Sequence, residues 1–372
     1  MKKILFIVRD DCFFISHRIP VAIEAIKQGY EVHLVAKLKG KPGFLEDKGI
    51  TVHNIELNRK KIGLNLLKEF LEILSVVHKI RPDILHLITV KSVLLGGIAA
   101  RLLKIPAVVV AISGLGYMFS SYGFLASVRL KVLSFFLYYA LNHKNQSVIF
   151  QNTSDKSKLE NINKNISNNS TIIPGSGVDL DLYSVKKIDV DIPIIMFAAR
   201  LLASKGVREF IDAAKLVNKN RKNARFVIVG NIDLSSPDSI SQKEIIHWEM
   251  EGFVELWGYK NNMYDVIPLA SVVVLPSYYG EGLPKILIEA AACGRAVVTT
   301  DHPGCRDAIV NNKTGLLVPV KDVDAIVKAV KSLIKDSHYC ENMGLMGRKL
   351  AEEKFDIRQV VKRHMGIYKD LF

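Results

Sequence analysis

The 372-residue sequence predicts an α/β protein of two doubly wound, parallel-sheet domains facing across a cleft. Three observations carry that prediction. Short, almost wholly apolar runs alternate with longer helical ones, the pattern of a parallel sheet covered on both faces. The alternation stops in a polar, Asn-rich stretch that ends in a Pro/Gly cluster, and then begins again. The chain is also too long for one ordinary core and suits two of similar size.

The elements follow in order. "KILFIVR" reads as the first strand and "HRIPVAIEAIKQG" as a helix ending at Gly29, with "RDDCFFISHR" as the loop between strand and helix. "EVHLVAK" is a strand, and "LLKEFLEILSVVHKIR" is a helix halted by Pro82. "DILHLIT", the helix "SVLLGGIAARLLKI", "AVVVAIS" and "SVIFQN" complete the first set. "NTSDKSKLENINKNISNNSTIIPGSGVDLDLYS" marks a domain edge. Beyond it, "IPIIMFAAR", a helix over "VREFIDAAKLVNKN", "RFVIVG", "VELWGY", "SVVVLP", "AVVTTD" and "TGLLVPV" repeat the alternation. The expected domains are 1–185 and 186–354, with the final helix, 355–372, placed to return to the first. Ligands of such sheets bind beyond the strands' carboxyl ends, and a cleft between two domains is a common small-ligand site.

Composition narrows the classes. At 49% hydrophobic and 24% charged residues the chain is folded rather than disordered. The opening "MKKILFIVRDD" has an apolar run only from Ile4 to Val8, shorter than the ~7–15 residues of a secretory signal, and reads as a buried strand. No run approaches the ~20 apolar residues of a membrane-spanning helix. Cys12, Cys293, Cys305 and Cys340 are scattered without CxxC or histidine partners, which supports neither a zinc site nor a disulfide framework.

The net charge of +14 is uneven. Residues 1–188 hold 26 Lys/Arg and 14 Asp/Glu, a net of +12, and the remainder holds 25 and 23, a net of +2. Ile84 to Ser154 contains no acidic residue. A basic half and a near-neutral half imply different partners for the two domains, with nucleic acid, anionic lipid and a polyphosphate substrate all open on charge alone.

"SYYGEGLPKILIEAAACGRAVVTT" supplies the chemistry. A strand's carboxyl end runs through Gly280-Glu281-Gly282-Leu283, and Pro284 opens a helix that Gly294 ends. The backbone N–H groups of Gly282 to Lys285, with the positive helix end, make an anion site. Glu281 sits ahead of it and Glu289 about 7 Å further along the helix at ~1.5 Å per residue. Both carboxylates suit hydrogen bonds from sugar and ribose hydroxyls. The competing structural reading makes Glu281 a helix cap and Glu289 a surface ion pair. A second strand-to-helix turn, "FAARLLASKGVREF", presents Arg200 and Lys205, groups suited to a diphosphate. Two cations beside an anion-binding helix mouth would otherwise repel.

With both turns in hand, the sequence resembles a retaining glycosyltransferase of family 4 with the GT-B fold, two Rossmann-like domains. The resemblance spans nearly the whole chain and rests on "IPGSGVD", "ARLLASKG", "VGN", "LWGY" and "EGLPKILIEAAACGRAVV", with Glu281 and Glu289 in the family's glutamate, seven residues, glutamate pattern. "HLITVKSVLLGGIAARLLKIPAVVVAISGLGY" further resembles the branch acting on polyprenyl-diphosphate-linked precursors of O-antigen, capsule and protein-linked glycans.

The resemblance implies the donor site residue by residue. Arg200 and Lys205 hold the donor diphosphate and assist its departure. Glu289 takes the ribose, and Glu281 with the amides of Gly282, Leu283 and Lys285 beside Pro284 positions the transferred sugar. Gly230 and Asn231 belong to the nucleotide site, and Gly258-Tyr259 lies against the base. No metal and no cofactor is expected, because the cations replace a metal and none of these motifs contains an Asp-x-Asp pair. The family's glycine-rich loop after the first strand is "RDDCFFISHR" here, without glycine. His17 and Arg18, or Gly114 and Gly116 of "SGLG", are candidates for its phosphate role. His17, His86 and Lys91 are candidates for contact with the acceptor or the leaving group, set against a purely structural role for each histidine. Front-face attack, with the departing phosphate oxygen taking the acceptor proton, needs no protein nucleophile.

"GFLASVRLKVLSFFLYYALNHK" reads either as a core helix or as a segment lying in an anionic membrane interface. The implied partners are a nucleotide-sugar, a UDP-sugar by expectation (UDP-GalNAc, UDP-GlcNAc or UDP-Gal), and a polyprenyl-diphosphate-linked saccharide. The implied location is cytoplasmic, peripheral on the inner membrane face. A dinucleotide oxidoreductase lacks its GxGxxG run, and nucleic-acid binding does not call for these two turns. A sugar-nucleotide 2-epimerase sharing the architecture, and a non-enzymatic lipid- or nucleic-acid-binding protein, remain the alternatives.

Overall fold

Ile4 to Val8 of β1 (Lys3–Asp10) are fully enclosed, as an apolar run covered on both faces should be. β1 anchors a parallel sheet with β2 (Glu31–Lys37), β3 (Ile50–Asn54), β4 (Ile84–Ile88), β5 (Ala107–Ile112), β6 (Gln146–Phe150) and β7 (Ser170–Ile172). Its order is β3-β2-β1-β4-β5-β6-β7, every pairing parallel. The connections form α1 (Asp11–His17), α2 (Ile19–Lys27), α3 (Gly43–Glu46), α4 (Leu64–Ile80), α5 (Val90–Leu102), α6 (Phe124–Ala140) and α7 (Thr153–Glu160). The computed structural model describes residues 1–40, 43–57, 64–115, 124–188, 191–219, 223–234 and 236–372.

The second sheet repeats the plan. β8 (Ile194–Ala198), β9 (Arg225–Val229), β10 (Glu255–Gly258), β11 (Val272–Leu275), β12 (Ala296–Thr300) and β13 (Gly315–Val318) run in the order β10-β9-β8-β11-β12-β13, again all parallel. α8 (Val207–Val217), α9 (Gln242–Glu251), α10 (Met263–Val266), α11 (Lys285–Ala292), α12 (Val323–Lys335) and α13 (Ser337–Lys354) connect and cover it. Strand order reverses between β1 and β4 in one sheet and between β8 and β11 in the other. These are the switch points where doubly wound sheets bind ligands.

One compact unit is Met1–Ser176 with Arg358–Phe372, and the other is Gly177–Ile357. The chain enters the second unit ahead of the expected 185, because Val178 N donates to Phe355 O (2.8 Å) and Ile357 N to Val178 O (3.0 Å). The Asn-rich stretch expected as a domain edge holds that boundary in its Pro/Gly cluster, between Ser176 and Gly177, while its earlier part supplies α7 and β7 to the first unit. Asn152 caps α7, accepting from Asp155 N at 2.7 Å. The segment expected as a loop after β1 is also helical. Asp10 accepts from Phe13 N (2.9 Å) to start α1, and α2 begins separately, with Pro20 in its first turn.

α14 (Ile357–Asp370) packs on the first sheet. Its Tyr368 hydroxyl lies 2.5 Å from His86 Nδ1 on β4, and Arg363 donates to Ile172 O at 3.1 Å. Val360, Met365 and Tyr368 are buried there.

Candidate active site

The β8–β11 switch point carries the polar groups of the second unit. β8 ends at Ala198, and the chain turns through Arg200 and a short 3-10 segment, Ala203–Lys205, into α8. Gly206 makes that turn with φ +80°, and a Cβ there would lie 2.2 Å from the Pro276 carbonyl oxygen, so only glycine lets the two loops meet. Across the meeting, Ser204 O accepts from Tyr278 N (2.9 Å) and from Ser277 Oγ (3.3 Å). On the far side, the loop after β12 presses in at Gly304 (φ +84°), where a Cβ would stand 2.6 Å from Gly282 O. The loop bearing Glu281 is held from both sides by backbone.

The candidate donor-site residues converge in this frame. Lys205 is buried and forms an ion pair with Glu281, which also accepts from Ser277 Oγ at 3.3 Å. Arg200 donates to Asp233 Oδ2 at 2.6 Å, from the loop after β9. Ser204 N reaches Asp238 Oδ2 in the same loop at 3.0 Å. The two cations do not repel one another unopposed, because Glu281 and Asp233 each balance one. Neither carboxylate pairing was legible in the sequence. Gly230 N donates to Gly258 O (3.0 Å), joining the ends of β9 and β10, and Leu201 N donates to Asn231 O (3.0 Å). Tyr259 follows with 65% of its surface exposed.

Pro284 has extended backbone (φ −62°, ψ 121°) and precedes α11 rather than lying in its first turn. As the N-cap residue, Pro284 makes no side-chain capping hydrogen bond. Glu289, within α11, is only 5% exposed, so it is not the surface ion pair of the competing reading. It accepts from the Tyr183 hydroxyl at 2.8 Å, and Lys285 Nζ lies 3.3 Å from the same oxygen.

The first unit separates its candidates. His17, half-buried at the end of α1, stacks on Phe13 (ring centroids 4.1 Å apart) with Nδ1 3.2 Å from Phe13 O. Arg18 and His86, expected near substrate, are instead sealed inside: each is at most 1% exposed. Arg18 Nη1 donates to the His17 carbonyl at 2.9 Å. Burial draws the Arg18 guanidinium down to about 10, and burial, then the neighbouring His364 and Arg18, push His86 well below the ordinary imidazole range. They are interior groups beneath α14, closed off from solvent. Lys91 opens α5 and pairs with the buried Glu69. Thr89, just before it, has φ +78° and ψ 150°, a region almost reserved for glycine. Gly114 follows β5 with φ +108°, whereas Gly116 lies outside the described residues.

Among the described residues, Asp10, Asp11 and Cys12 are close enough to share a cation. Their carboxylates are already engaged: Asp10 by Arg9 (2.6 Å) and Lys39 (3.3 Å), and Asp11 by the amides of Cys12, Lys39 and Gly40 at 2.8–3.1 Å. That donor set does not suit a metal ion.

α6 is both core and surface. Leu137 and Ala140 are buried, while Val132, Phe135, Phe136 and Tyr139 form an exposed stripe at helical spacing. Arg101 stacks on Tyr139, 4.1 Å from the ring centroid. Among the described residues no helix is long and apolar enough to cross a membrane.

Comparison with known proteins agrees with this layout. Residues 182–350 match the family described as glycosyl transferases group 1, and residues 3–152 match glycosyl transferase 4-like. The chain is 28% identical over 380 residues to N,N'-diacetylbacillosaminyl-diphospho-undecaprenol alpha-1,3-N-acetylgalactosaminyltransferase of Campylobacter jejuni, covering 95% of this chain and 97% of that enzyme. It is 24% identical to UDP-Gal:alpha-D-GlcNAc-diphosphoundecaprenol alpha-1,3-galactosyltransferase of Escherichia coli, covering 92% of this chain and 89% of that one. Among solved structures, HepE of Anabaena, crystallised with UDP and glucose, superposes with a TM-score of 0.80 at 17% identity over 99% of this chain and 100% of HepE. The chain belongs to the group 1 and 4-like glycosyltransferases and has the GT-B fold of two Rossmann-like domains.

Proposed function

We propose that the protein is a retaining glycosyltransferase that moves a hexose or N-acetylhexosamine from a UDP-sugar to a polyprenyl-diphosphate-linked saccharide, in the assembly of a surface polysaccharide. The observation that carries this reading is the meeting of Arg200, Lys205, Glu281 and the start of α11 at the β8–β11 switch point. The names of the Campylobacter and Escherichia relatives, both of which act on undecaprenyl-diphosphate-linked sugars, support the acceptor class.

In this reading the donor diphosphate takes the place of the carboxylates on Arg200 and Lys205. Freed from Lys205, Glu281 turns to the transferred sugar. The α11 amides receive developing charge on the leaving phosphate, so the step relies on positioning and electrostatic stabilisation without a metal. The acceptor hydroxyl attacks the anomeric carbon on the face the diphosphate leaves, and its proton passes to the departing phosphate oxygen. Glu289 holds the ribose. In this reading His17 and Lys91 of the first unit contact the acceptor.

The exposed aromatic stripe of α6 lies within the acid-free span 84–154, in a half of net charge +12 (26 − 14). It serves peripheral binding to the inner face of the cytoplasmic membrane, where each near-surface cation contributes ~1 kcal/mol toward anionic lipid. Phe135→Ser with Phe136→Ser should release the protein from vesicles containing anionic lipid, and unchanged flotation would count against this face.

Calorimetric titration of UDP, GDP and ADP into wild type and Glu289→Ala tests the donor assignment. Binding of UDP alone, lost in the variant, supports it. Absence of all nucleotide binding, beside salt-sensitive binding to RNA or vesicles, would leave the basic unit as the working part.

A further inference from the structure

Glu289 is held by a residue that lies 106 positions away in the chain. Tyr183 sits in the segment leading into β8, and its backbone is fixed from two directions. Its N–H donates to Asp179 O at 2.8 Å, and its carbonyl accepts from Arg348 of α13 at 2.7 Å. Asp179 stiffens the turn by accepting from Asp181 N and Leu182 N at 3.0 and 3.2 Å. The ring stands edge-on to Tyr264, centroids 6.2 Å apart. These anchors aim the hydroxyl at Glu289 Oε1, the oxygen that Lys285 also approaches. Burial first, then the adjacent Glu289 carboxylate, push the Tyr183 phenol well above its ordinary range, so it remains a donor at any working pH.

A glutamate at the end of a flexible side chain has a carboxylate plane free to turn. Two donors on one oxygen remove that freedom and leave the other oxygen, Oε2, set in one direction. A fixed acceptor meets a ribose hydroxyl without first losing side-chain entropy.

We propose that Tyr183 is a positioning residue for the donor nucleotide: its hydroxyl, clamped to Oε1, fixes the Glu289 carboxylate for the ribose. This rests on the assignment of Glu289 to the ribose made above. Tyr183 touches no substrate itself, so its effect is confined to ribose recognition and leaves diphosphate recognition alone.

The test compares UDP, 2′-deoxy-UDP, 3′-deoxy-UDP and pyrophosphate by calorimetry, on wild type, Tyr183→Phe and Glu289→Ala. Tyr183→Phe keeps the ring and its packing and deletes only the donor. Wild type should favour UDP over at least one deoxy analogue by on the order of tenfold. Tyr183→Phe should shrink that preference roughly three- to tenfold with pyrophosphate affinity unchanged. Glu289→Ala should abolish it. A purely structural role for Tyr183 would lower the melting temperature or weaken all four ligands together and would not move the ratio. If Glu289→Ala removes the preference and Tyr183→Phe keeps it whole, the positioning role is wrong while the ribose assignment stands. If Glu289→Ala keeps the preference, the ribose assignment fails and the role of Tyr183 with it.

Discussion

The packing of α14 on the first sheet should weaken sharply with acid, and His364 sets the size of the effect. His364 is fully buried on α14, with Nδ1 2.8 Å from Val360 O and Nε2 without a partner. Its neighbours are His86 on β4, with ring centroids 5.9 Å away, and Arg18 before α2. Tyr368 on the same helix reaches His86, and Tyr30 lies edge-on to Tyr368. None of these is a carboxylate able to welcome a proton. Burial and the Arg18 charge hold the His364 imidazole down to about 3, against 6.5 in the unfolded chain.

A histidine with a depressed folded value contributes stability that is complete above pH 6.5 and is lost as pH falls from there toward 3. Between 6.5 and 5 the loss is ~1.5 pH units at ~1.36 kcal/mol each, about 2 kcal/mol. His86, depressed for the same reasons, adds to the loss in the same direction.

Hydrogen exchange of the peptide spanning 358–372, corrected for the intrinsic rate at each pH, reads this directly. Tryptophan fluorescence would miss it, since Trp248 and Trp257 both lie in the second unit. His364→Gln should lower protection at pH 7, yet lose about 2 kcal/mol less than wild type between pH 7 and pH 5. Parallel losses in the two proteins would place the acid-sensitive group elsewhere.

Three further outcomes follow from the geometry. Lys205→Met removes a cation assigned to the diphosphate and strands Glu281, so UDP affinity should fall by roughly ten- to a hundredfold by calorimetry. Gly304→Ala drives a methyl into the carbonyl of Gly282, and neither backbone can yield, so it should cost about 1–3 kcal/mol in thermal stability and weaken UDP binding. Burial pushes the Cys293 and Cys305 thiols up to about 12 and Cys340 to about 11, and burial with the Asp11 carboxylate raises Cys12 as well, so exposure is what makes Cys12 the residue a thiol reagent modifies in the native state. Mass spectrometry after brief labelling checks that site.

Much of the architecture was readable because burial on both faces forces an unbroken apolar run. Ile4–Val8, Ala107–Ile112 and Val272–Leu275 announce themselves as strands. β3 and β7 did not, because Ile50–Asn54 and Ser170–Ile172 are partly exposed and mix polar residues among the apolar ones. α1 was hidden because "DDCFFISH" has no helical periodicity, and its cap, Asp10, reads equally well as a loop residue.

The candidate site was legible where charged residues fall in a strand-to-helix turn, as at Arg200, Lys205 and Glu281. It was not legible where its side chains meet partners far apart in the chain. Asp233 on Arg200 and Tyr183 on Glu289 are contacts of tertiary structure, and no local spacing encodes them. The same blindness made Arg18 and His86 look available: a histidine inside a strand carries no sign of α14 returning over it.

The most direct test of the central claim is transfer by the purified protein from radiolabelled UDP-sugars to an undecaprenyl-diphosphate-linked saccharide, with the anomeric configuration of the product determined. UDP release should depend on the acceptor, and the product should keep the donor's configuration. UDP release at the same rate without acceptor, or a product of inverted configuration, would contradict that claim.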